Sequence, residues 1–383
     1  DRALRLQHGE RAVDQPVHRG RVAGDEAQYA DPLEATATGE EIVRAIEVPI
    51  EVEQQIVHVS ASVGIMPSQV ELVSAADLLA GADLALYDAK AGGRSRVRLF
   101  TPDLRHASAQ RHSIAADLED AWNEKQLELY YQPQVNLADG RIVGAEALIR
   151  WNYPYIGVMT PAGFLSVLEA GHLAVPVGDW ILRTACRDAA ELRRAGHSDF
   201  RVAVNLFAAQ LRMADFVEQV EEALLAADLP ASALELEITE NIVLRNERTI
   251  ARHLARLRER GVGIAFDDFG TGFASLTMLK QLDITRLKID RSFIRDVETN
   301  EKDQGIVEAI VRMARGCRLE VVAEGIETRE QADYLRALVG EGQGYLFGKP
   351  MRLAEFRRNF APSAEEPDVA GPAPIMAEKL TGS

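Results

Sequence analysis

The chain has 383 residues, 47% of them hydrophobic, enough for two domains or three small ones, each with its own core. Its formal net charge of −16 and pI of about 5.1 argue against a surface built to track a DNA or RNA polymer, while leaving room for a local pocket that binds phosphates through metal ions. No run of about 18 apolar residues exists, so no membrane contact is expected within this chain. Cys186 and Cys317 sit in helical patterns without metal-ligand spacing and read as apolar thiols of a reducing compartment. There is no signal-peptide pattern, and the first residue is Asp1, which fits a fragment of a longer protein. A cytoplasmic location is expected, whether or not a longer parent is membrane-anchored.

In chain order, residues 1–105 read as a partial α/β domain. QQIVHVSASVGIM (54–66) alternates as a strand does, and SAADLLAGADLALYDAKAGG (74–93) has helical spacing with a glycine stop. Residues 106–126 read as a connecting helix. From 127 a regular rhythm begins. LELYYQPQV and IVGAEALIRW flank the turn signal ADG and so predict an antiparallel pair. Apolar strands then alternate with amphipathic helices: FRVAVNLF, ALELEITE, GIAFDDFG, TRLKID, LEVVAEGI and GQGYLFG each follow a helical stretch. Such alternation implies a parallel sheet covered by helices, and about eight strands fit a (β/α)8 TIM-like barrel with a reversed first strand. Residues 363–383, rich in Pro, Ala and Glu, are expected to form a disordered tail.

In a barrel of this kind the C-terminal strand ends form the functional face. Glu146, Asn205, Glu237, Asp267 with Asp268, Lys288, Glu324 and Gln343 each fall at such an end. Solvated carboxylates would scatter over helix faces, as in EQVEEAL; these instead close apolar strands, where oxygen ligands can converge on hard divalent cations.

The same residues carry a family resemblance. EALIRW (146–151) resembles the name motif of the EAL domains, which hydrolyse cyclic di-GMP, and VNLF, ELEITE, DDFGTG, LKID, AEGIE and QGYLFGKP follow in the family's order. The similarity covers about residues 112–362, with the barrel placed at 127–362. It implies that Glu146, Asn205, Glu237 and Asp267 hold one Mg2+ or Mn2+, and that Asp267 bridges to a second, helped by Asp268 and Glu324; Ca2+ is expected to inhibit. Glu324 has three open roles: ligand, water orienter or proton acceptor. Lys288 is expected to hydrogen-bond the attacking water or to offset charge on phosphate, and Asp290 to fix Lys288 or touch substrate. Arg150 resembles a phosphate-contacting arginine, with a structural ion pair as the alternative. Gln132 and Gln343 are candidate substrate or water contacts, Glu327 lies near the site or caps a helix, and Glu240 anchors the loop after Asp268. That loop, DDFGTGFASL, is expected to couple self-association in a homodimer to metal geometry.

The chain departs from the family at Tyr153–Pro154, where His-Pro is common, and within FLSVLEAGHLAVPVGDW. LRALVGEGQGY is one residue shorter than the common form, which threatens the placement of Gln343. The N-terminal part resembles the second half of a GGDEF (diguanylate cyclase) domain through VSASVGI and ADLALYDAKAGGRSRV. VAGDEA at 22–27 stands in place of its name motif, and the half that would carry the first metal aspartate and the nucleotide-binding segment is absent, so Gly24, Asp25 and Glu26 read as an inert turn. Two functions remain to be separated: a metal-dependent cyclic di-GMP phosphodiesterase, and a receptor that binds cyclic di-GMP without cutting it. The full metal set favours the enzyme.

Overall fold

The computed structural model describes residues 31–360 apart from 53–54, 58, 68–73, 92, 94, 155, 240–246, 271–278 and 280–281. The chain divides into two compact units, one ending at Ala116 and one starting at Asp117.

The first unit holds the helix Pro32–Glu47, the antiparallel pair β1 (Ile50–Val52) and β2 (Gln55–Val57), and the parallel pair β3 (Val63–Ile65) and β4 (Val97–Leu99). The alternating stretch 54–66 is thus two strands rather than one. Between β3 and β4 runs the helix Ala75–Ala91, opened by Ser74, whose Oγ accepts from the Asp77 N–H while Asp77 accepts from the Ser74 N–H. This helix lies directly on β3: a Cβ at Gly64 would stand 2.2 Å from the Leu86 nitrogen, so only glycine permits the approach.

The second unit is a closed eight-stranded barrel. Its strands are β5 (Leu127–Asn136), β6 (Ile142–Tyr153), β8 (Arg201–Asn205), β9 (Leu234–Thr239), β10 (Gly263–Phe269), β11 (Arg286–Ile289), β12 (Glu320–Ala323) and β13 (Glu341–Gln343). All neighbours from β6 to β13 are parallel, whereas β5 is antiparallel to both β6 and β13 and closes the ring. The first barrel strand is therefore reversed, as the ADG hairpin predicts; Gly140 supplies the positive φ of that turn, and the Asn136 and Asp139 side chains accept from Ala138 and Arg141 N–H groups. Two short strands lie outside the ring: β7 (Gly157–Met159) on β6 and β14 (Met351–Arg352) on β5.

Strand alternation sorts the side chains. Val202, Val204, Leu234, Leu236, Ile238, Ile264, Phe266, Leu287 and Ile289 are buried, and their alternates carry the polar groups of the barrel interior. Over them packs, for example, the helix Ala174–Arg194, which buries Val177, Ile181, Leu182, Ala185, Cys186, Ala189 and Leu192 at helical spacing. Each such large aliphatic side chain contributes roughly 1.5–3 kcal/mol. At the N-terminal strand ends an ion network closes the barrel floor: Arg286 reaches Glu235 and Glu341 at 3.2 Å each, and also Glu320, while Arg201 reaches Glu341 at 2.6 Å.

Candidate active site

The opposite, C-terminal rim gathers the acidic residues. Register places Glu237 beside both Asn205 and Ala265, Asp267 beside Thr239, and Glu146 beside Gln132 and Ala203. Lys288 is fully enclosed at their centre. Its Nζ lies 2.6 Å from Glu324, 2.7 Å from Glu237, 3.2 Å from Asp267 and 3.6 Å from Glu146.

Amides hold the other side of Glu146. Asn205 Nδ2 donates to Oε1 at 2.7 Å and Gln343 Nε2 to Oε2 at 2.6 Å. Gln343 Nε2 also donates to Gln132 Oε1, and Gln134 Nε2 donates to Gln343 Oε1, both at 3.1 Å. Despite its shorter approach, β13 thus delivers Gln343 into the cluster.

Asp267 and Asp268 are adjacent, and strict alternation would send them to opposite faces. A register irregularity between Phe266 and Phe269, with Asp268 at φ +53°, lets both serve one cleft. One carboxylate oxygen from each of Asp267, Asp268 and Glu324 lies within 4.8 Å of the others.

Four carboxylates against one ammonium leave the cluster short of positive charge. Burial pushes Glu237 well above the usual carboxylate range, and Glu146 adds to it more than Lys288 relieves. Burial likewise raises Glu324 to about 8 against the pull of Lys288, and raises Asp268 to about 6 with help from Asp267. Glu146 moves the other way: burial opposes its ionisation, but Lys288 and the two amide donors outweigh it. Both carboxylates face the same lysine, and Glu146 differs in accepting from the two amides. For Lys288 burial disfavours the charge, yet Asp267, Glu146, Glu237 and Glu324 together hold the ammonium well above its ordinary value.

This site suits hard cations. Both oxygens of Glu237 and Oε1 of Glu324 are buried without a hydrogen-bond partner among the described residues; their contacts with Lys288 are close but not aligned as hydrogen bonds. Asn205 spends an amide N–H on Glu146, which leaves its carbonyl oxygen open to a cation. An all-oxygen donor set of this kind fits Mg2+ or Mn2+.

The remaining candidates surround this cluster or lie outside the described residues. Arg150 is buried at the mouth; its guanidinium donates to the Ile149 carbonyl at 2.9 Å and covers the Tyr130 ring, and no carboxylate pairs with it among the described residues. Burial lowers its pKa. Asp290 does not fix Lys288: it caps the short helix Arg291–Ile294 by accepting from the Ser292 N–H at 3.0 Å. Glu327 is exposed and lines a cavity of about 360 Å³ with Arg291, Ser292, Arg295, Gly325 and Gln331, and it joins no ion pair among the described residues. Its backbone N–H donates to Gln331, whose side chain caps the helix Arg329–Arg336 together with Thr328. Glu240, most of the loop after Asp268, and residues 22–27 lie outside the described residues. Gln134 was not singled out from the sequence; its place two residues after Gln132, on the same strand face, is the signal that identifies it.

Comparison with known proteins agrees with this geometry. Residues 115–350 match the family described as EAL domain, and residues 25–96 that described as diguanylate cyclase, GGDEF domain. Cyclic di-GMP phosphodiesterase NbdA of Pseudomonas aeruginosa is 40% identical over 355 residues, 91% of this chain and 45% of NbdA. The bifunctional diguanylate cyclase/cyclic di-GMP phosphodiesterase MucR of the same bacterium is 38% identical over 336 residues, 86% of this chain and 49% of MucR. The chain spans about half the length of these relatives. Among solved structures, the PaMucR phosphodiesterase in its c-di-GMP complex is 42% identical with a TM-score of 0.61, covering 64% of this chain and 99% of that one. The EAL enzyme Bd1971, in a form bound to cAMP and cyclic di-GMP, is 31% identical with a TM-score of 0.65, covering 76% of this chain and 77% of that one. With an eight-stranded barrel whose first strand is reversed, and this match along most of its length, the chain belongs to the EAL domain family, preceded by a GGDEF domain segment.

Proposed function

We propose that this chain opens cyclic di-GMP to linear pGpG by adding water across one phosphodiester, with two divalent cations at the barrel mouth. The observation that carries the reading is the cluster of Glu146, Glu237, Asp267 and Glu324 around Lys288, four carboxylates converging on one enclosed ammonium. The names of the relatives and the cyclic di-GMP complex of MucR support the substrate.

Glu146, Asn205, Glu237 and Asp267 would hold one Mg2+ or Mn2+, and Asp267, Asp268 and Glu324 the other. When bound, such cations neutralise phosphate charge and lower the pKa of water. The other duties belong to the chain itself. Gln343, tied to Glu146 and Gln132, holds the Glu146 carboxylate in one orientation. Glu324, beside Lys288 and within reach of Asp267 and Asp268, is placed to orient the attacking water or to take its proton. Lys288 offsets charge growing on the phosphate. Arg150 presents a fork of N–H donors to a phosphate of the substrate.

The domain division at 1–105, 106–126, 127–362 and 363–383 is part of this proposal. The family matches at 25–96 and 115–350 support two domains joined through the helix Pro102–Asn123, within which the compact units divide at Ala116 and Asp117; 363–383 lie outside the described residues. Among the described residues no helix is long and apolar enough to cross a membrane.

The test incubates the full chain with cyclic di-GMP and Mg2+, Mn2+ or Ca2+ and follows pGpG by chromatography. Turnover with Mg2+ or Mn2+, absent with Ca2+ and in Glu146→Ala, supports the enzyme. Tight binding without product in any metal overturns it in favour of a receptor.

A further inference from the structure

Arg150 stands directly opposite Glu128 in the antiparallel pair β5–β6, so their side chains share one sheet face. Opposite charges in that position normally pair across the strands. Here they do not, and the cause is about 200 residues away in the sequence. Arg352 of β14 takes both oxygens of Glu128, Nε to Oε2 at 3.0 Å and Nη2 to Oε1 at 2.8 Å, in a bidentate fork. Arg352 also lies in register with Tyr130, and its guanidinium carbon is 5.7 Å from the ring centroid; that of Arg150 is 5.5 Å from the same centroid. Two arginines thus flank Tyr130, and the more exposed of them holds the glutamate that stands opposite the other.

We propose that Arg352 is a positioning residue: by sequestering Glu128 it keeps Arg150 available to an anionic group of the ligand. The inference rests on reading Arg150 as a phosphate contact. A freed Glu128 would compete for the same guanidinium fork and repel an incoming phosphate. The Arg352–Glu128 pair has side chains 55% and 25% exposed, so it adds little to folding stability, and its loss leaves the fold in place. What it changes is the state of Arg150, which is buried among its strand neighbours and cannot replace a lost ligand contact with bulk water.

Steady-state kinetics on the full chain test this. Arg352→Ala is expected to raise KM for cyclic di-GMP about tenfold while kcat stays within about twofold, and adding Glu128→Gln to that variant is expected to restore KM. A merely structural role for Arg352 would not be rescued by removing a carboxylate. An unchanged KM in Arg352→Ala, or a raised KM that Glu128→Gln fails to restore, overturns the proposal. Arg150→Ala separates it from the reading beneath it. If KM does not rise in Arg150→Ala, the phosphate contact itself is wrong; if it rises there but not in Arg352→Ala, only the sequestering role is wrong. Should the chain bind cyclic di-GMP without turnover, Kd by calorimetry replaces KM and the same pattern is expected.

Discussion

At the residue scale the controlling fact is that Lys288 is the only cation among the described residues within 4 Å of the four clustered carboxylates. Replacing it by methionine keeps the volume and removes the charge. Without cations, Lys288→Met should lose about 3–5 kcal/mol of stability, because breaking a buried pair strands its partners. Saturating Mn2+ should return much of that loss, while turnover stays at least about a hundredfold down. Thermal unfolding in EDTA and in Mn2+, beside an activity assay, reads both. The cysteines offer a second check. Burial raises the Cys186 thiol to about 12, whereas Cys317 is exposed. A thiol reagent at pH 8 should therefore modify one cysteine in the folded chain and two after unfolding. Since the folded Cys186 pKa lies above the ordinary 9.0, its contribution to stability is complete below pH 9 and lost as pH rises towards 12. Tyr131, held well above 10 mainly by burial and then by Asp188, pushes in the same direction.

At the element scale the two ends of each strand have different duties. Glu235 and Glu237 share a face of β9, yet one pairs with Arg286 on the floor and the other with Lys288 at the mouth. Arg286→Met should cost about 3–5 kcal/mol by leaving Glu235 uncompensated, while kcat per folded molecule changes little. Urea unfolding and an active-site titration distinguish the two effects. Alternation made this arrangement readable: ELEITE, RLKID and VVAEGI each show apolar residues interleaved with the groups that face inward. It also set the limit. Alternation alone predicts Asp290 as a partner of Lys288 or a substrate contact; the Asp-Arg-Ser sequence is also a helix-start signal, and one carboxylate oxygen accepts from the Ser292 N–H. The stretch 54–66 looked like one strand because its apolar positions alternate through the break between β2 and β3. Nothing local in EALIRW shows that Arg150 has no carboxylate partner among the described residues, since that depends on Arg352 far along the chain.

For the whole molecule, eight strands and the covering helices were legible because each strand buries one face under a helix and turns the other inward. The reversed first strand was legible from the hairpin alone. Because β5 runs against both neighbours, the polypeptide enters the cylinder from its reactive side: Leu127 pairs with Trp151, at the same edge as the substrate mouth. Only Glu124, Lys125 and Gln126 separate the helix Pro102–Asn123 from the strand bearing Gln132 and Gln134. In an all-parallel cylinder the preceding segment would join at the floor, with the full strand length between it and the chemistry. Here only the short turn 124–126 precedes that strand. Two extra residues after Glu124 should lower turnover about tenfold, whereas two after Ser198, ahead of β8 on the floor side, should leave it nearly unchanged. Equal effects of the two insertions would show that the point of entry carries no mechanical consequence.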